Sequence, residues 1–192
     1  MSDNLTTEPT RRLLTARQAD TVHRLTEAGA EEVRQSGYEN LSIRDVARRA
    51  GVAAATAYTY FGSKDHLLTE IFWRRLSALP PVDTSGRVPA KKQVTAVLRE
   101  LALLVSEEPE LAAGCTAAMF GCEPDVRQLR LYIGIKIHQR IEAAAGTGSP
   151  EGRLLELAYF GAMVEAGLGY TTYEHMADRL AEAAELIMGR GW

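Results

Sequence analysis

Between Ser42 and Lys64 the chain gathers hydroxyls, aromatic rings and cations: Ser42, Arg44, Thr56, Tyr58, Thr59, Tyr60 and Lys64. That mixture suits hydrogen bonds to base edges, contact with thymine methyls and pairing with phosphate oxygens. Arg44, Thr56, Tyr58 and Thr59 are the candidate base readers, and Tyr60 and Lys64 are candidate DNA contacts, Lys64 to phosphate. Ser42 is first a helix cap, though its hydroxyl could also meet phosphate. Arg11, Arg12 and Arg17 are further candidates for phosphate or for plain surface cations. Catalytic chemistry has no comparable cluster. His23, His66, His138 and His175 are scattered, without a metal-ligand spacing such as His-x-x-x-His. Cys115 and Cys122 lack zinc partners and read as small apolar residues. A phosphate-binding glycine loop and a nucleophile elbow are both missing. The expectation is a binding protein, not an enzyme, with no catalytic residues, cofactor or metal.

Those residues need two short helices to carry them. Ser42 can cap a helix with Asp45 at its third position, and Leu41 can staple onto Val46. Gly51 stops that helix and can adopt the positive φ of a tight turn. A second helix then runs from Ala53 to Tyr60, giving a helix-turn-helix. Ile43, Val46 and Val52 supply the contacts between the pair, Ala47 and Ala50 are small where they approach, and Phe61 belongs to the core. A longer helix precedes them, opened by a Thr15–Gln18 capping box and ended at Ser36-Gly37. Ser63 caps a fourth, carrying Leu67, Leu68, Ile71, Phe72 and Leu76.

The region from Gly37 to Leu68 resembles the TetR regulator family. The resemblance rests on the Ala50-Gly51-Val52 turn, the Thr56-x-Tyr58-x-Tyr60-Phe61 segment, and Ser63-Lys64-Asp65-x-Leu67-Leu68. It extends over roughly residues 15–75. Departures are confined to Ala53, Ala54 and Ala55, where Ser then Gly is frequent, and to Ala57, where a larger aliphatic is usual. The three successive methyl groups of Ala53, Ala54 and Ala55 offer no hydrogen bonds and can read only thymine methyls or groove shape. The resemblance implies a homodimeric DNA-binding repressor released from an inverted-repeat operator by a small molecule. A regulator without an effector is the alternative.

The rest of the chain reads as helices separated by short breaks. Pro80 to Pro89 is the one stretch of sustained breaker composition. Helices follow near Val94–Val105, Leu111–Phe120 and Asp125–Ala145. Another opens at Ser149-Pro150-Glu151, and Thr171 and Glu174 open the last. Leu129 to Ile137 alternates like a strand, yet Val126, Leu129, Ile133, Ile137 and Ile141 form a helical stripe, and no second strand is there to pair. The expected fold is therefore all-α, with about nine helices: an N-terminal three-helix DNA-binding head carrying the helix-turn-helix and a larger C-terminal helical body. The divisions are a tail (1–14), the helix-turn-helix domain (15–62), a connecting helix (63–79) and an effector-binding and dimerisation domain (80–192).

Charge agrees with one DNA-facing end. The net charge is −3, but residues 11–75 hold 11 basic and 8 acidic residues against 11 and 15 in residues 76–192. No apolar run reaches the roughly 20 residues of a membrane span, and the polar N-terminus with two cysteines points to the cytoplasm. For the dimer, Ala158, Gly161, Ala162, Glu165, Ala166 and Gly169 form a mostly small stripe. Met176, Leu180, Ala184 and Ile187 form an apolar face on the last helix. For a ligand, Phe72, Trp73, Met119, Phe120, Tyr159 and Met163 could build an apolar, adaptable lining together with Leu155, or simply fill the core. Glu156, Glu165 and His138 are the polar candidates in it. A mostly apolar effector follows.

Overall fold

The computed structural model describes residues 15–189. The expected N-terminal tail, with Arg11 and Arg12, lies outside them. Nine helices are present among the described residues: α1 (Ala16–Asn40), α2 (Ile43–Arg49), α3 (Ala54–Tyr60), α4 (Lys64–Ala78), α5 (Ala90–Ala102), α6 (Pro109–Met119), α7 (Pro124–Ala145), α8 (Pro150–Gly167) and α9 (Tyr173–Met188). The all-α expectation holds, and the alternating segment 129–137 lies inside α7. No described helix is long and apolar enough to cross a membrane.

Local chemistry accounts for most helix starts. Thr15 accepts from the Gln18 amide while Gln18 reaches back, completing a capping box. Ser63 and Ser149 cap α4 and α8, with Pro150 at the first position of α8. Thr172, one residue beyond the expected Thr171, caps α9. Gly37 (φ 74°) turns the chain where a stop was expected, and a last turn resumes to Asn40. α3 alone of the first four helices has no side-chain cap, since Ala53 precedes it.

One continuous apolar core runs through the molecule. Leu25 and Val33 of α1, Ile43, Val46 and Ala47 of α2, Ala57 of α3 and Phe61 all belong to it and are buried. α6 packs on both α1 and α4. At their junction Gly114 leaves no room to spare, since a Cβ there would lie 3.2 Å from Leu68 and 3.3 Å from Val33. The body is completed by α5 against α7 and α9, and by α8 against α9. Arg140, 5% exposed, is held by Glu100 and by the Pro80 carbonyl at 2.8 Å.

Candidate DNA-binding face and the surfaces of the body

The turn between α2 and α3 is closed by backbone bonds. The Gly51 amide donates to Arg48 O (3.2 Å) and the Val52 amide to Ala47 O (2.9 Å), with Gly51 at φ 63°. Ser42 Oγ accepts from the Asp45 amide at 3.2 Å and donates to the Asp45 carboxylate. That bond, helped by Arg48, holds the Asp45 carboxyl below its usual range. α3 buries only Ala57. Ala53, Ala55, Thr56, Tyr58 and Thr59 are exposed, Tyr58 to 49%, while Ala54 and Tyr60 are half-buried. Arg44 is exposed on α2. Thr59 Oγ1 donates to Ala55 O at 3.0 Å, which leaves its lone pairs outward. The candidate base readers Arg44, Thr56, Tyr58 and Thr59 are therefore all exposed on the head.

Lys64 does not join them. Its ammonium donates to Tyr38 O (2.9 Å) and Glu39 O (3.2 Å) and sits 4.1 Å over the Tyr38 ring. Carbonyls at the end of α1 thus take the charge that the start of α4 would repel, so the position of Lys64 has an account within the chain beside the expected phosphate contact. Neighbouring residues complete the junction, among them Tyr38, Glu123 and Arg130, to which the sequence reading gave no role. Tyr38 Oη donates to Asp65 at 2.7 Å, and burial with that partner raises the Tyr38 pKa. Ser63 Oγ donates to Glu123 at 2.9 Å. His66 lies edge-on to Phe61 (5.3 Å between rings) and 3.7 Å from Asp125, too far for a hydrogen bond. Burial pushes the His66 pKa down, against Asp125, Glu70 and Glu123. Arg130 of α7 donates to Met119 O (2.6 Å) and Gly121 O (3.3 Å). The start of α4 is thus tied to both α1 and α7. The sole sequence signal was a lysine at a helix N-terminus, which needed carbonyls nearby.

The expected ligand lining is brought together only in part. Phe72, Leu155 and Tyr159 are buried, and the Tyr159 hydroxyl has no hydrogen-bond partner. Trp73, Met119 and Met163 are half-buried, Trp73 lying 6.2 Å from the Tyr132 ring. Phe120 is 62% exposed beyond the end of α6 and lines nothing internal. Of the three polar candidates, His138 and Glu165 are exposed and Glu156 is half-buried: His138 Nδ1 is 2.8 Å from Glu156, and Glu165 pairs with Arg179 at 3.0 Å.

Of the two helices expected at a dimer interface, α9 turns its expected face inward and α8 leaves part of its expected stripe exposed. Met176, Leu180 and Ala184 are buried within the chain, on a helix that packs chiefly against α5, and Ile187 is half-buried. On α8, Ala166 is buried, Ala158 and Ala162 are half-buried, and Gly161, Glu165 and Gly169 are exposed. Small residues serve close packing inside the chain here: a Cβ on Gly167 would lie 2.1 Å from Thr116 of α6. What α8 turns outward is larger. Leu154, Leu157, Val164 and Leu168 are exposed with Gly161 among them, at successive spacings of three and four residues, and Phe160 flanks them. Leu186 of α9 is 67% exposed.

Known proteins share this architecture. The family model described as bacterial regulatory proteins, tetR family, matches residues 25–71. A helix-turn-helix-type transcriptional regulator of Mycobacterium tuberculosis (strain ATCC 25618 / H37Rv) is 46% identical over 176 residues, covering 90% of this chain and 82% of that protein. The transcriptional repressor KstR of Rhodococcus jostii (strain RHA1) is 26% identical over 168 residues, covering 82% of this chain and 77% of the repressor. A TetR transcriptional regulator from Rhodococcus sp. RHA1 superposes with a TM-score of 0.72 at 22% identity, covering 93% of this chain and all of that one. A bared α3 behind a tight glycine turn, on a helical body shared with these regulators, places the chain in the TetR family: it is a DNA-binding transcriptional regulator and not an enzyme.

Proposed function

We propose that this regulator is a homodimeric repressor that acts in the cytoplasm and leaves an inverted-repeat operator when a small, mostly apolar ligand enters its body. The observation that carries the reading is α3, which buries Ala57 alone and offers Ala55, Thr56, Tyr58 and Thr59 to a major groove. One such helix reads only a few base pairs, too few to single out a genomic site. A two-fold axis doubles the readout and makes the operator palindromic. The exposed Leu154–Leu168 stripe of α8 supplies that axis, because a row of large apolar side chains gains by being covered. The name of the Rhodococcus jostii relative supports repression.

Residues 15–62 form the reading head, α4 connects it, and residues 80–192 hold ligand and partner. Phe72, Leu155 and Tyr159 supply apolar surface for the ligand, and the unpartnered Tyr159 hydroxyl offers it one hydrogen bond. Selection from random duplexes should enrich an inverted repeat; no enriched site would end the regulator reading at this level of detail. A thermal-shift screen of apolar compounds, followed by operator release, tests the effector. Compounds that raise the melting point yet leave DNA affinity unchanged would favour the effector-independent regulator.

A further inference from the structure

We infer that Arg24, on α1 and outside the DNA-facing set, is a positioning residue for sequence reading because it clamps the turn that aims α3. The bonds closing that turn use the carbonyls of Val46, Ala47 and Arg48. Two carbonyls later in the turn, those of Ala50 and Gly51, receive the Arg24 guanidinium. Nε donates to Ala50 O at 3.2 Å, while Nη2 donates to Ala50 O at 2.6 Å and to Gly51 O at 3.1 Å. Asp20, one turn earlier on α1, lies 3.7 Å from the same guanidinium and steadies it. The cation also faces the negative end of the α2 dipole.

The geometry is informative because Ala50 and Gly51 set the angle between α2 and α3. Beyond Ala57 and the following Phe61, α3 is held only by Ala54 and Tyr60, packed partly against the core. It is seven residues long, lacks a side-chain cap and buries one alanine. A planar fork gripping two adjacent carbonyls restrains the peptide between them more than a point charge would. Arg24 therefore acts on base readout through Gly51 and not through DNA. The inference rests on α3 as the reading helix, so Tyr58→Ala is carried through the same experiment.

The test is fluorescence anisotropy of the full-length protein on the selected operator and on a random duplex, across a salt series. Variants Arg24→Ala, Arg24→Gln and Arg24→Lys are compared at a temperature where each is folded by circular dichroism. Arg24→Ala should lose about tenfold in preference for the operator over the random duplex, the size of a lost charge-assisted hydrogen bond. Its salt slope should not change. Arg24→Gln, whose amide nitrogen occupies the Nε position, keeps the bond to Ala50 O but not those of Nη2 to Ala50 O and Gly51 O, so it should recover part of the preference despite having no charge. A phosphate contact gives the opposite pattern: affinity falls on both duplexes, the salt slope drops by about one, and Lys restores what Gln does not. That pattern overturns the inference, as does wild-type preference in Arg24→Ala. Loss of preference in Tyr58→Ala with none in Arg24→Ala rejects Arg24 alone. No loss in either rejects the α3 reading and Arg24 with it. Should Arg24→Ala fail to fold, the Gln-against-Lys contrast decides the matter.

Discussion

Arg44 and Tyr58 point to solvent while Lys64 is engaged by the chain itself, and the three should respond differently to truncation. Arg44→Ala and Tyr58→Ala should each weaken operator binding by about 1–3 kcal/mol, with Arg44→Ala also relaxing sequence preference. Lys64→Ala should instead lower the melting temperature and leave the salt dependence of DNA binding intact; a flatter salt slope would return it to phosphate contact. His66 gives a prediction with a definite sign. Burial lowers its folded-state pKa below the 6.5 of the unfolded chain. As pH drops below about 6.5, the unfolded chain takes up a proton that the folded one resists, so stability falls until the folded pKa is passed. His66→Gln should lose less melting temperature than wild type between neutral and mildly acidic pH. An equal loss would mean that the facing Asp125, Glu70 and Glu123 cancel the burial.

Glycines in two of the helices separate packing from backbone cost. Gly167 ends α8 against Thr116, and an added Cβ would lie 2.1 Å from Thr116 Cγ2 and 2.5 Å from Thr116 Cβ. Both atoms belong to the stiff base of a β-branched side chain, so no rotamer change relieves the overlap. Gly134, inside α7, has open space where its Cβ would be. The same substitution should therefore act with opposite sign. Gly167→Ala should cost about 1–3 kcal/mol, and Gly134→Ala should add about 0.5–1 kcal/mol, both read by urea unfolding. A neutral Gly167→Ala would mean that α6 and α8 separate at little cost.

For the whole molecule, the proposed dimer makes a prediction about one surface. Leu157 is 71% exposed, whereas Leu180 is 2% exposed beneath the body's own helices. A charge at Leu157 costs the folded monomer little but would be buried without a partner in an α8-mediated dimer. Leu157→Asp should sediment as a folded monomer and bind the full operator weakly. Leu180→Asp should unfold before any change of assembly can be read. A Leu157→Asp variant that still sediments as a dimer would place the two-fold axis elsewhere.

Sequence alone determined the features that depend on residues a few positions apart. Thr15 with Gln18, Ser42 with Asp45, and Ser149 with Pro150 act over one helical turn, so their types and spacing suffice to locate helix starts. Gly51 likewise marked the turn, since its positive φ is a local requirement. The strand-like alternation of 129–137 was resolved by the same logic, because a helix satisfies its own backbone and a lone strand cannot. Only the tertiary structure decided what each face meets. The apolar faces of α8 and α9 are equally good covered by the same chain or by another. Packing gave the Met176–Leu180 face to the chain's own core and left Leu154–Leu168 bare. Lys64, Arg24 and Phe120 were undecidable for the same reason: the carbonyls that hold the two cations lie 25 to 27 residues away, and nothing local to Phe120 shows that the body ends beside it. Hydrophobic burial is non-directional, so a sequence specifies that a face is covered, while the choice of cover depends on how all the elements pack at once.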